Sequence, residues 1–371
     1  MATLELSSLA HVTNTTRTAY NKGRYTALWT DIQEFPAAKR ILGMMATDGK
    51  AGHRSLHEVL TGSDRSTMVG SKCEWMVSLG TSSAARTVGS WQTDAITDIS
   101  NETQANVPWR SIDTHWAWDV DEVNANGINT DTRLHDLLKY KRDKARFDLV
   151  NKIEENFWGF PASTDTKSWY GLMYWMVRSG SARGFNGTAQ SGYSTVANIN
   201  PTTYSRWRNY TFPYTDIADN DLLEELRHAF IDCGFENPVN APTTGELNQW
   251  ELMTTKGVHL GIDRIMRANN DRLGTDLDWQ AGRGRFGGVA YQHVPYLTNN
   301  TSTTSDPGYS GSIYGINWGD MKIKMLRGAD FVEREARAAP NQHKVMVAWI
   351  DATGNFVQQD RRRHFVGSTA A

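Results

Sequence analysis

The chain has 371 residues, with 39 Lys and Arg against 41 Asp and Glu, for a formal net charge of −2. This near-balance excludes the basic footprint of a free-standing nucleic-acid binder, and 39% hydrophobic with 11% aromatic residues excludes a disordered chain. No stretch approaches the ~20 apolar residues that cross a bilayer, and the length predicts about two to three domains.

Residues 1–45 read as an extended polar arm with one short helix, anchored by Leu28, Trp29, Ile32, Phe35 and Ile41. The N-terminal residues lack the basic start and apolar run of a secretory signal. Residues 66–79 then alternate: Cys73, Trp75, Val77 and Leu79 share one face, Lys72, Glu74 and Ser78 the other, with Met76 as the exception. A period of two predicts a strand. A second alternating run, Trp109–Val120, groups Trp116, Trp118 and Val120. Together the two runs predict a long antiparallel hairpin with its tip at 80–106, and loops of that length are functional or disordered. The excursion 60–122 carries four Lys and Arg against nine Asp and Glu.

A helix is predicted over Asp131–Trp158, where Leu134, Leu138, Ala145, Leu149, Ile153 and Phe157 recur at helical spacing. Asp131 can cap it, Gly159 and Pro161 stop it, and it would be roughly 40 Å long. Residues 160–220 read as loops and short strands. Asp221–Ile231 and Val258–Asn270 are further amphipathic helices. From Met321 onward strands return, at Met321–Leu326, Val345–Ile350 and Phe356–Val366. The whole is α+β.

Chemistry-bearing motifs are sparse. Gly282-Arg-Gly284-Arg-Phe-Gly287 matches a dinucleotide fingerprint literally, but no helix is expected after it, so it reads as a Gly/Arg loop. His53 and His57 have the spacing of two helical metal ligands without a third ligand or a catalytic glutamate. The pairs Glu154/Glu155 and Glu224/Glu225 fall on polar helix faces. The cysteines, Cys73 and Cys233, are too few for a disulfide framework and fit a reducing compartment. Arg361-Arg362-Arg363-His364 reads as a surface cluster ending a strand, with an anion or subunit contact as the alternative. No catalytic, cofactor-binding or metal set emerges, so a non-enzymatic protein is expected. With 14 Trp, a glycan-binding or hydrolytic protein is the distant alternative.

The order of these parts, with several short motifs, resembles the major capsid protein of tailed double-stranded DNA bacteriophages, the HK-97-like fold. The motifs are Trp158-Gly-Phe-Pro161 with Tyr170-Gly171-Leu172, Asn269-Asn270-Asp271-Arg272-Leu273-Gly274, Ile313-Tyr314-Gly315-Ile316-Asn317-Trp318, Pro340-Asn341-Gln342-His343 and Asp360-Arg361-Arg362-Arg363. The resemblance covers most of residues 60–366. It implies an N-arm at 1–45 and an E-loop region at 60–122. It implies a P-domain from 46–59, 123–174 and 319–354, with a spine helix and a P-loop at 332–343, and an A-domain from 175–318 and 355–371.

The implied role is self-assembly into pentamers and hexamers of an icosahedral shell in the virion, built in the bacterial host cytoplasm around packaged double-stranded DNA held by non-specific contacts. An encapsulin-type compartment of the same fold is the nearest alternative. A portal protein, a decoration protein and no membrane are the further partner expectations. Residues 1–60 are too few for the long scaffolding segment of the family's first member, which implies a separate scaffolding protein. Residues 80–106 contain no lysine, so the isopeptide cross-link of some relatives is not expected. Candidate inter-subunit contacts are Trp91 at the hairpin tip and Glu333, Arg334, Glu335 and Arg337, whose alternating charges could meet their own symmetry copies.

Overall fold

The computed structural model describes residues 65–79, 87, 89–91, 102–125, 137–179, 182–217, 220–234, 250–270, 284–286, 289–294, 296–297, 311–340 and 342–369. The expected arm at 1–45, the pair His53 and His57, and residues 131–136 of the expected long helix lie outside them. In chain order the elements are β1 (Arg65–Met68), β2 (Lys72–Ser78), β3 (Glu102–Pro108), β4 (Arg110–Asp119), α1 (Val120–Ala125), α2 (Leu137–Trp158), α3 (Leu172–Trp175), β5 (Gly184–Gly187), β6 (Asn209–Tyr214), α4 (Asn220–Cys233), β7 (Trp250–Thr254), α5 (Lys256–Asn270), β8 (Gly284–Phe286), β9 (Val289–His293), β10 (Ile313–Asn317), β11 (Met321–Leu326), β12 (Val332–Glu333), β13 (Arg337–Ala338), β14 (Val345–Gln358) and β15 (Phe365–Thr369). They fall into two compact units. One comprises Arg110–Phe157 and Met325–Gly354 with the chain before Met68; the other comprises Met68–Trp109, Trp158–Lys324 and Asn355–Ala371.

In the first unit β4 pairs antiparallel with β14, from Val345 opposite Asp119 to Gly354 opposite Arg110. On α2, the buried residues Ala145, Leu149 and Ile153 recur every four positions, which keeps them on one helical face. The Thr114 hydroxyl of β4 donates to the Ala145 carbonyl at 3.4 Å. Glu154 is fully buried, contrary to its expected place on a polar face, while Glu155 is exposed and bonds Lys152 at 2.8 Å.

The second unit holds a seven-stranded sheet in the order β5-β6-β15-β10-β7-β9-β8. The β6–β15 and β7–β9 pairs are parallel. Leu222, Leu226, Ala229 and Phe230 of α4, with Val258 and Ile262 of α5, join Tyr210, Phe212, Leu252, Val289, Tyr291, Ile313 and Phe365 in one buried cluster. Each such large apolar side chain contributes about 1.5–3 kcal/mol through burial. Two glycines let aromatic rings lie flat across the sheet. Gly315 opposes Phe365 and Gly367 opposes Phe212, and a Cβ on either would sit 2.3 Å from the facing ring.

Three expectations are corrected. The hairpin pairs β2 with β3, Lys72 opposite Pro108 through Ser78 opposite Glu102, so its tip is 79–101 and the 109–120 run goes to β14 instead. Pro108 has no N–H with which to extend the ladder, and the Trp109 indole closes the hairpin's base by donating to the Gly70 carbonyl at 2.9 Å. The two strands expected at 345–350 and 356–366 are one strand to Gln358, because β4 partners every residue through the turn-like Asp351-Ala-Thr-Gly354. The break comes at Asp360, whose carboxylate caps a 3₁₀ turn at Arg361–Arg363. Lastly, Gly284–Phe286 is not a loop but a strand paired antiparallel with β9. A strand thus follows it where a dinucleotide site needs a helix.

Candidate functional site

The 332–343 segment is an edge laid along β14. Val332 opposes Asp351 and Glu333 opposes Ile350, then Arg337 opposes Val347 and Ala338 opposes Met346. Between the two short strands the Arg334 N–H donates to the Trp349 carbonyl at 2.8 Å. Phe331 (φ +44°) and Lys344 (φ +76°) flank the segment in the left-handed region, unusual for bulky residues. Burial of the Phe331 ring holds one end. At the other, Lys344 pairs with Asp121 at 2.7 Å and its carbonyl accepts the Val120 N–H at 3.1 Å.

The four expected charges divide in two. Glu333 accepts from Arg142 and lies 3.4 Å from Arg146, both on α2, and Arg334 pairs with Asp351. Glu335 and Arg337 are exposed, and none of the described residues forms an ion pair with them. Trp91 is fully exposed, in a turn of the hairpin tip with φ +82°. Trp91 and the charged edge belong to different units.

The hairpin follows its alternation. Cys73 and Leu79 are buried, Trp75 and Val77 half-buried, and Met76, the exception in the pattern, is exposed. Trp75 meets Trp175 with ring centroids 6.2 Å apart. Burial pushes the Cys73 thiol up to about 11. Cys233, on α4, is also a buried free thiol, pushed well above its usual range by burial, with Sγ 3.9 Å from the His364 carbonyl. Trp116 and Trp118 stack at 4.6 Å as their shared face predicts, whereas Val120 opens α1 and is exposed.

Arg361 is the residue the sequence pattern hides. Expected in a surface cluster, it is fully buried. Its Nε donates to the Trp175 carbonyl at 2.8 Å and Nη1 to that of Trp207 at 2.6 Å. Nη2 donates to the Thr188 carbonyl at 2.9 Å and to Asn209 Oδ1 at 3.0 Å. Asn209, fully buried too, accepts from the Val177 N–H at 3.0 Å and donates to the Val177 and Tyr210 carbonyls at 3.0 and 3.2 Å. Gly187 makes room for this amide, since a Cβ there would lie 2.1 Å from Asn209 Oδ1. Burial lowers the guanidinium to about 9, which leaves it charged at neutral pH. Four oxygen acceptors stand in for the water it has lost.

The neighbours diverge. Arg362 lies over the Phe185 ring at 3.8 Å, and exposed Arg363 reaches Asp320 at 3.6 Å and Asp360 at 3.7 Å. His364 is fully buried, and its Nδ1 accepts the Asn317 N–H at 3.2 Å. Burial, reinforced by Arg363 and Arg361, pulls its imidazole down to about 3. The arrangement clamps the 175–177, 187–188 and 207–210 segments to the 360–364 turn. The one sequence signal for it is a charged run inserted between two apolar strands. Among the described residues no group of three or more His, Cys, Asp or Glu could hold a metal, and no helix is long and apolar enough to cross a membrane.

No protein-family model and no curated protein matches the chain. Solved structures do. The capsid asymmetric unit of cyanophage A-1(L) is similar with a TM-score of 0.57 at 14% identity, over 88% of this chain and 97% of that one. A structure from Mycobacterium phage Bobi is similar with a TM-score of 0.50 at 10% identity, over 88% of this chain and 94% of that one. The likeness covers most of the chain, and with the mixed helices and sheets it identifies the architecture: the chain has the HK-97-like fold of tailed-phage capsid proteins.

Proposed function

We propose that this chain is a major capsid protein that self-assembles into capsomers and an icosahedral shell enclosing phage double-stranded DNA. The observation that carries the reading is the near end-to-end likeness to the cyanophage capsid chain, 88% of this chain against 97% of that one. The surfaces support it. A two-stranded hairpin is marginal in isolation, and this one carries a fully exposed Trp91 and an exposed Met76. Contact with copies of the chain would cover Trp91.

On this reading β2 and β3 belong to the E-loop, α2 is the spine helix of the P-domain and 332–343 its P-loop. The seven-stranded sheet with α4 and α5 forms the A-domain, and residues 1–45 are the N-arm. Trp91, Glu335 and Arg337 are the contacts left for neighbouring subunits, with Glu333 and Arg334 fixing the edge that presents them. The partners on this reading are a separate scaffolding protein during assembly and a portal protein in the shell, and the chain itself is no enzyme. Electron microscopy of the purified full-length chain tests the proposal. Closed shells or capsomers are expected; dispersed monomers across concentration and salt would overturn it.

A further inference from the structure

The two outer edges of the hairpin are unlike. On β3 the Asn106 N–H leaves the ladder and donates to the Ala197 carbonyl at 3.1 Å. Asn106 opposes Glu74, so this is a non-hydrogen-bonded pair, and the alternation of antiparallel ladders makes Met76–Gln104 and Ser78–Glu102 pairs of the same kind. The backbone N–H and C=O of Met76 and Ser78 therefore project from the far edge of β2. Among the described residues no strand pairs with that edge.

A groove of about 540 Å³ is lined by Trp75–Leu79, which include Met76 and Ser78, together with Arg206, Gln359, Asp360 and Arg362. Its charges are not balanced. The Asp360 carboxylate is committed to the Arg362 N–H at 2.9 Å and to Arg363 at 3.7 Å. None of the described residues offers a carboxylate to Arg206 or to the Arg362 guanidinium. Among the described residues, the groove thus combines backbone donors and acceptors that no strand uses with two arginines that no carboxylate meets.

We propose that this groove takes an extended, acidic peptide of a separate partner protein, which adds to β2 as a third strand and sets its carboxylates on Arg206 and Arg362. Strand addition uses the backbone for affinity and the flanking side chains for selection. Symmetric pairing of two copies through this edge is disfavoured, because it would bring the arginines of both grooves together without counter-charge. The site stands on the geometry of the groove alone, independent of the capsid reading.

The test is fluorescence anisotropy of a labelled Thr-Val-Glu-Val-Glu-Val-Thr peptide titrated with purified full-length chain. Binding is expected, weakening as salt rises from about 0.05 M to about 0.5 M. Two variants should each weaken it by about tenfold or more. Met76→Pro removes an outward N–H that the β2–β3 ladder does not use, a position where an edge strand accepts proline. Arg206→Gln removes an exposed cation. Arg227→Gln, on the exposed surface of α4, should change nothing. No binding by wild type, or wild-type binding by both Met76→Pro and Arg206→Gln, overturns the site. Equal binding of a Gln-for-Glu version of the peptide overturns its acidic specificity. Tighter binding of a peptide spanning residues 91–101 of this chain would reassign the groove to a second copy.

Discussion

Replacing Arg361 by leucine keeps an apolar side chain in the same space and removes every donor the guanidinium supplies. Three carbonyls lose this partner, those of Trp175, Trp207 and Thr188, while Asn209 Oδ1 loses one donor and keeps the Val177 N–H. An orphaned buried acceptor costs about 1–3 kcal/mol. Taking the low end, because a carbonyl can find a second partner, the loss is about 3 kcal/mol. Removing a buried charge returns part of its desolvation penalty, so the net loss should be about 2 kcal/mol, a sizeable share of the 5–15 kcal/mol that holds a typical domain. Arg361→Lys keeps the charge but offers three donors from one point, and should fall about midway. Urea unfolding of the full-length chain, followed by tryptophan fluorescence, reads this directly, since the buried rings of Trp175 and Trp207 adjoin two of the acceptors. With a slope of about 1–3 kcal/mol per molar urea, the midpoint should fall by about 0.7–2 M. A leucine variant within about 1 kcal/mol of wild type, or a lysine variant equal to wild type, would refute the clamp.

His364 makes stability fall in acid. Its folded value, about 3, lies below the ordinary histidine range, so its contribution is complete above about pH 6.5 and is lost as pH drops toward 3. The loss should reach about 2 kcal/mol by pH 5; His364→Asn, which retains an acceptor for the Asn317 N–H, should flatten the urea midpoint between pH 7 and 5, and an unchanged slope counts against the mechanism. Replacing residues 80–100 by an Asn-Gly turn, which sets Leu79 opposite Asn101, preserves the β2–β3 register and should leave a folded chain that fails to form shells in sedimentation; normal shells would remove the hairpin from the assembly contacts. Arg337→Glu should lower shell yield without changing the urea midpoint, and adding Glu335→Arg should restore it by exchanging the charges; wild-type yield of Arg337→Glu alone would end the edge-contact reading. Arg334→Glu, by contrast, breaks the pair with Asp351 and should cost stability, by up to about 1 kcal/mol for so exposed a pair.

Local periodicity was legible wherever one face of an element is buried. The β2 face, the Ala145–Leu149–Ile153 stripe of α2 and the apolar faces of α4 and α5 were all readable from spacing. So was β11, where Met321, Ile323 and Met325 alternate with half-buried Lys322, Lys324 and Leu326. Pairing was not. β4 finds its partner more than 200 residues away, and an alternating pattern says which face is buried without saying which strand lies alongside. The same blindness made Gly284–Phe286 look like a loop, because its strand character comes from β9. For the candidate site, exposure of Glu335 and Arg337 fits the alternating charge pattern, whereas the partners of Glu333 on α2 come from another part of the chain. Arg361 was illegible for a different reason. Three of its partners are backbone carbonyls, and every residue type carries one, so no side-chain pattern marks them.

The two thiols give the chain built-in timers. A thiolate is the species that reacts, and both sulfurs are buried and held protonated well above neutral pH. Each can therefore be alkylated only while its cover is open. Cys73 lies opposite Val107 in the hairpin, so its labelling rate clocks the fraying of that ladder. Cys233 sits at the end of α4 against the His364 carbonyl, so its rate clocks the lifting of that helix from the sheet. Mass spectrometry of the unmodified sequence after timed exposure to a thiol reagent separates the two events, one peptide for each.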